Sequence, residues 1–297
     1  MAEGIVDGQV RNVRRVSFAL ADGEMAGWHF VSPGKPRLVF VHANGFCASA
    51  YRQVLEPLSA DFDILAPDLR GHGRSTLPAD PARHRSWDVY ARDLLALIDQ
   101  LDEKPVALAG HSMGAVSSLL AAARLAEVPK LALVEPVVLP VSVYLMSSGP
   151  FGGLMKDRLP ISRQARRRRN GWPDAAAALS RYANHPTFKR WAEGTLADYL
   201  EDGLAETPDG GVKLACDPFW EAANYEAQGH DLGRAARKAA PQAYVLKAQH
   251  GSTVVRPGAL TRRGAKLTRM DRVGHLAPME KPGAVTAWLR DVLKAAD

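Results

Sequence analysis

Residues 110–114 read Gly-His-Ser-Met-Gly, a serine held between two glycines, and that spacing suits nucleophilic chemistry. Ser112 stands where the apolar run PVALAG ends and an Ala/Leu/Val-rich stretch begins. A sharp strand-to-helix turn there would hold the serine in a strained conformation with its hydroxyl exposed, and Gly110 and Gly114 would keep the turn free of collisions. G-x-S-x-G arises by chance in Ala-rich chains. A strand before it and a helix after it give the motif its meaning.

The elements that must position Ser112 follow from the pattern around it. Residues 13–20 and 25–31 alternate as two antiparallel strands joined through ADGE. RLVFVHA, DFDILAP, PVALAG, KLALVEPV, QAYVLKA and AKLTRMD are short apolar or alternating runs. Helical spacing separates several of them, at Ala50–Leu58, Trp87–Leu101, Ser112–Leu125 and from Pro282 to the end. Strands alternating with helices predict an α/β fold, a mostly parallel sheet flanked by helices, with the chemistry at the carboxyl ends of the strands.

The alternation stops near Pro140. From there to about Gly233 the chain is helix-prone, punctuated by Pro and Gly, and rich in aromatics including Trp172, Trp191, Trp220, Tyr182 and Tyr199. The expected organisation is a core built from 1–139 and 234–297, with a helical cap inserted at 140–233. Its aromatic residues either line an apolar pocket or pack the cap on the core.

The 297 residues are 46% hydrophobic, enough for a sizeable core, and no apolar run approaches the roughly 20 residues of a membrane span. The amino terminus lacks a basic segment followed by an apolar one, so the expected location is cytoplasmic. Cys47 and Cys216 offer no zinc spacing and are read as free thiols of a reducing compartment. The formal net charge of +6 is too mild to argue for nucleic acid. Arg163 and Arg166–Arg169 nevertheless cluster in one stretch, which is read either as a solvated surface or as an anion-binding feature.

FVHANGF at 40–46, PDLRGHGRS at 67–75, GHSMG at 110–114 and VGHLAPMEKP at 273–282 together resemble the alpha/beta-hydrolase family. The resemblance runs over nearly the whole chain outside 140–233. It implies the alpha/beta-hydrolase fold and a triad in the order nucleophile, acid, histidine. His275, in the loop before the last helix, is then the base that takes the Ser112 proton. His42, His72 and His111 take structural roles around the site, and His250 is left open.

The acid departs from the commonest pattern. Most relatives carry an aspartate in the loop after the strand that here reads AYVLKA, but QHGSTVV follows, with Gly251 about where the carboxylate is expected. Glu135, at the end of KLALVEPV, stands where some family members, including certain haloalkane dehalogenases, place the acid. It is the expected partner of His275, with Asp231 and Asp271 in reserve. The same comparison makes the backbone N–H groups of Met113 and Asn44 the oxyanion donors, although His42-Ala43 replaces the usual His-Gly.

A serine attacking a saturated carbon would leave an ether that water cannot open, so Ser112 implies an acyl carbon rather than dehalogenation. The expected function is hydrolysis of a carboxylic ester or thioester through an acyl-enzyme, by a monomer or homodimer acting on a small-molecule acyl substrate. The chemistry needs no metal or organic cofactor and no nucleic-acid partner. C–C bond hydrolysis and acyl transfer on the same residues remain open alternatives, as does a non-catalytic ligand-binding role.

Overall fold

The computed structural model describes residues 4–6, 9–148 and 159–295; the part of the expected cap at 149–158 lies outside them. Their strands are β1 Gly4–Val6, β2 Gln9–Leu20, β3 Gly23–Val31, β4 Arg37–Val41, β5 Asp63–Pro67 and β6 Ala107–His111, followed by β7 Lys130–Val134, β8 Leu204–Glu206, β9 Val212–Leu214, β10 Ala243–Ala248 and β11 Lys266–Met270. Nine of these form one sheet in the order β1-β2-β3-β5-β4-β6-β7-β10-β11. From β5 to β11 each neighbour runs parallel, and β1 to β3 add an antiparallel edge.

The helices are α1 Arg52–Leu58, α2 Asp88–Asp99, α3 Met113–Ala122, α4 Val141–Ser148, α5 Pro160–Arg166 and α6 Ala175–Ala183, then α7 Thr195–Gly203, α8 Pro218–Glu226, α9 Leu232–Ala239, α10 Gly258–Thr261, α11 Ala277–Glu280 and α12 Pro282–Lys294. The first expected helix is shorter than its pattern, because Ala48–Tyr51 winds as a 3-10 turn before α1.

The central strands read as unbroken apolar runs because each feeds two cores at once. Val39, Val41, Leu108, Leu131, Leu133 and Val245 pack on one face with residues of α2, α3 and α9. Leu38, Phe40, Ala107, Ala109, Val134 and Leu246 pack on the other with residues of α1 and α12. The period of two thus assigns consecutive residues of one strand to opposite cores. The result is an alpha/beta-hydrolase fold.

Between β7 and β10 the chain is not helical throughout. β8 and β9 form an antiparallel hairpin, turned by Thr-Pro-Asp-Gly-Gly with Gly210 at φ 85°, and Trp172 bridges to Val212. A loop glycine of this kind is a hairpin signal that outweighs the helical propensity of its surroundings. Two helices between β7 and β10 are pinned to the earlier part of the chain. In α7, Asp202 accepts from Arg15, Arg74 and Trp28 Nε1, while in α8 Asn224 accepts from Trp87 Nε1 and the Tyr90 hydroxyl.

Candidate active site

β4, β6 and β7 end side by side, and the loops after them and after β10 and β11 meet at one edge of the sheet. Ser112 takes φ 55° and ψ −114° between β6 and α3, and its N–H donates to Val134 O at 2.9 Å. The glycines of 110–114 have a steric cause. A Cβ on Gly114 would lie 2.2 Å from Val41 O, and one on Gly110 would lie 2.6 Å from the carbonyl carbon of Gly114. Only glycine lets α3 start that close to β4 and β6.

His275, in the loop after β11, brings its Nε2 to 3.1 Å from Ser112 Oγ. Its Nδ1 lies 3.0 Å from Glu135 Oε2. A carboxylate oxygen accepts, so Nδ1 carries the proton and Nε2 is left to accept from the serine hydroxyl. Glu135 is fully buried at the tip of β7, with φ 48°. Its Oε1 accepts from the Ala248 N–H at 2.6 Å and the Ser252 hydroxyl at 2.7 Å, and its Oε2 accepts from the Thr253 N–H at 3.0 Å. The loop after β10, where Gly251 stands in place of a carboxylate, therefore supplies donors to a carboxylate from the neighbouring strand.

Asn44 and Met113 lie at the ends of β4 and β6. Among the described residues neither backbone N–H has a hydrogen-bond acceptor, although both residues are buried. A developing oxyanion requires unengaged donors of this kind. The left-handed position of this loop falls on Gly45, at φ 75°, and Ala43 is under no such demand.

Three buried histidines tie the loops together as neutral rings. His42 accepts from the Leu69 N–H and donates to Ala43 O, and His72 accepts from the Gly45 N–H and donates to Arg70 O. Burial pushes His72 down to about 4 and His42 well below the usual histidine range. The third, His111, sits in a chain that the sequence did not reveal. The Ala43 N–H donates to the Tyr51 hydroxyl at 3.0 Å, that hydroxyl contacts His111 Nδ1 at 2.8 Å, and His111 Nε2 contacts His275 O at 2.9 Å.

The remaining candidates lie elsewhere. Asp231 caps α9 by accepting from the Arg234 N–H, Asp271 lies in the turn after β11, and His250 is exposed. Among the described residues no three His, Cys, Asp or Glu side chains gather as a metal would need, and no helix is long and apolar enough to cross a membrane.

A cavity of about 730 Å³ adjoins the site through Asn44, Gly45 and Leu276. Phe46, Trp172, Tyr182, Phe188, Trp191 and Tyr199 give it aromatic walls. Trp220, by contrast, packs on His84 and donates to Arg70 O. The arginine stretch is no uniform surface. Arg166 pairs with Glu226, and the half-buried Arg168 pairs with Glu221 while donating to the Tyr182 and Tyr199 hydroxyls at 3.0 and 3.2 Å.

Comparison with known proteins bears on the fold and the family. The chain is 37% identical over 103 residues to a putative non-heme haloperoxidase of Mycobacterium phage D29, covering 34% of this chain and 36% of that protein. It is 37% identical over 90 residues to an epoxide hydrolase of Caballeronia sordidicola, covering 29% and 26%. The matched stretch thus spans about a third or less of these curated relatives. Among solved structures, E-2-(acetamidomethylene)succinate hydrolase superposes with a TM-score of 0.74 at 18% identity, over 96% of this chain and 100% of its own. Residues 38–288 match the profile of the alpha/beta hydrolase family, and the chain belongs to that family.

Proposed function

We propose that this protein is a serine hydrolase that cleaves a carboxylic ester or thioester through an acyl-enzyme. The observation that carries the reading is the unbroken chain Ser112 Oγ, His275, Glu135, with contacts of 3.1 and 3.0 Å, behind a serine held at φ 55°. Ser112 Oγ attacks the acyl carbon as His275 Nε2 takes its proton, and Glu135 stabilises the imidazolium that results. The carbonyl oxygen, now negative, accepts from the N–H groups of Asn44 and Met113. His275 then gives its proton to the departing alkoxide or thiolate, leaving the acyl group on Ser112. Water attacks that ester with its proton passing to His275 Nε2, the acid leaves, and the proton returns to Ser112 Oγ.

In this reading residues 140–233 are a cap, and its described residues supply most of the lining of the 730 Å³ cavity that meets the site at Asn44, Gly45 and Leu276. Cys47 and Cys216 are both free and buried, which fits a cytoplasmic protein. The test is incubation with a fluorophosphonate followed by intact-mass measurement. One adduct is expected, absent from Ser112→Ala and accompanied by loss of esterase turnover. A wild-type protein that stays unlabelled at high reagent concentration would overturn the reading and favour a ligand-binding role.

A further inference from the structure

The cavity that meets the site at Asn44, Gly45 and Leu276 has an unbalanced wall. Among the described residues five arginines line it, Arg163, Arg167, Arg168, Arg169 and Arg181, against a single carboxylate, Glu221. Glu221 is already engaged by Arg168, which the Tyr182 and Tyr199 hydroxyls hold in place. Arg169 donates to Gly171 O, a neutral carbonyl. Among the described residues, no carboxylate pairs with Arg163, Arg167, Arg169 or Arg181. Arg15, Arg52, Arg70, Arg74 and Arg290 each meet an acidic partner, whereas the exposed Arg256, Arg262 and Arg269 do not among the described residues, so what sets the wall apart is that several unpaired arginines border one cavity.

The excess charge comes from two separate elements. Arg163 and Arg167 are four residues apart at the end of α5, a spacing that puts them on one side of the helix, and Arg181 belongs to α6. All three are exposed and border the same concavity. A surface arranged only for solubility would scatter such charges and alternate their sign. Guanidinium groups that border one concavity suit an oxyanion, because their planar N–H pairs match a carboxylate or phosphate. The aromatic part of the wall leaves room for an apolar stem between that anion and the acyl carbon.

We infer that the acyl substrate carries an anionic group, a carboxylate or a phosphate, seated against Arg163, Arg167 and Arg181, with its acyl carbon reaching past Asn44 to Ser112. This inference rests on the serine-hydrolase reading and names the substrate class for it. The anion binds in ground state and transition state alike, so its contribution falls mainly on KM.

Two matched pairs of substrates test it and separate the two anions. Nitrophenyl hemiglutarate is compared with nitrophenyl valerate, which replaces the carboxylate by a methyl group. Butyryl-coenzyme A is compared with S-butyryl-N-acetylcysteamine, which keeps the thioester and lacks the phosphates. At least one charged member is expected to exceed its neutral partner about tenfold or more in kcat/KM, and the pair that does so identifies the anion. In Arg163→Gln/Arg167→Gln, and separately in Arg181→Gln, the preference should shrink to within about threefold through a rise in KM, as it should in about 0.5 M salt. Equal turnover within both pairs, or a preference that survives these substitutions, overturns the inference and leaves the hydrolase reading standing.

If no ester is turned over and Ser112 takes no fluorophosphonate, the hydrolase reading fails by itself. Calorimetry on the Ser112→Ala protein with glutarate and with coenzyme A then decides the anion site independently. Binding that weakens about tenfold in the arginine double variant supports the site, and absence of binding by either ligand at roughly millimolar concentration overturns it.

Discussion

The Thr253 N–H donates to Glu135 Oε2 at 3.0 Å across 118 residues of chain, and the same carboxylate oxygen meets His275 Nδ1 at 3.0 Å. The loop after β10 and the tip of β7 thus build one carboxylate site, with the acid from one strand and its donors from the next. Glu135→Gln presents an amide N–H₂ where these donors expect acceptors, and it removes the charge facing the imidazolium. We expect kcat to fall by about 10³ to 10⁴. The variant should also lose roughly 1–3 kcal/mol of stability for a donor left unpaired. Asp231→Asn is the comparison: Asp231 caps α9, so its effect belongs in the melting curve and not in turnover. Comparable rates for Glu135→Gln and the wild type would remove Glu135 from the mechanism.

Tyr51 couples the two loops on either side of Ser112. Its hydroxyl accepts from the Ala43 N–H and meets His111 Nδ1, and His111 holds the His275 carbonyl. Tyr51→Phe leaves a backbone N–H and a ring nitrogen unpaired, both fully or nearly fully buried, at a cost of about 1–3 kcal/mol each. A urea midpoint reads that loss. Turnover should fall about tenfold with little change in KM, because the chain positions His275 and the oxyanion loop without touching substrate. Unchanged kcat would mean that the packing of the loops alone sets their positions.

The sheet was legible because strands such as Leu38–Val41 feed two cores and so read as continuous apolar runs, and because Ser112 falls where one such run ends. The placement of Glu135 was legible in part from what Gly251 lacks. The donors on Ser252 and Thr253 were not, since Ser and Thr in a loop read as ordinary turn residues until the fold carries them across to β7. The chain through Tyr51 and His111 was hidden for the same reason: it joins residues far apart in sequence whose types suit many other roles. The β8–β9 hairpin had a local signal in Asp209-Gly210, which the helix-prone surroundings masked.

Glycines 114 and 283 should respond to alanine in opposite directions. At Gly114 the added methyl would sit 2.2 Å from Val41 O and 2.3 Å from His42 O, two rigid backbone atoms. Forcing apart α3 and β4 should cost about 3 kcal/mol or more and abolish labelling of Ser112. Gly283, in the first turn of α12, has nothing within 4 Å of the same position. Gly283→Ala should stabilise by about 0.5–1 kcal/mol through helix propensity. Denaturant midpoints measured side by side test both signs, and a tolerated Gly114→Ala would show that the elbow can open.

Stability should fall steeply in mild acid. Burial lowers His72, His84 and His230 each to about 4, and it lowers His42 and His111 well below the ordinary value of 6.5. In the unfolded chain these rings take up protons near pH 6.5, so below that pH the unfolded state holds more protons than the folded one. Their contribution is therefore fully present above about pH 6.5 and is lost as the pH falls towards 4. Asp68 works in the opposite sense. Burial raises its carboxyl to about 7, so the folded state keeps a proton that the unfolded state has released, and stability from this group is lost as the pH rises from about 4 through 7. Five rings outweigh one carboxyl. Near pH 5 the unfolded state should hold more protons than the folded one, so stability falls as the pH falls. Melting curves taken from pH 7 down to about 4.5 should show Tm dropping throughout that interval, with the slope set by proton uptake. A flat Tm across the same interval would mean that the buried histidines are protonated in the folded protein, and the neutral roles assigned to His42 and His72 in holding the loops would have to be abandoned.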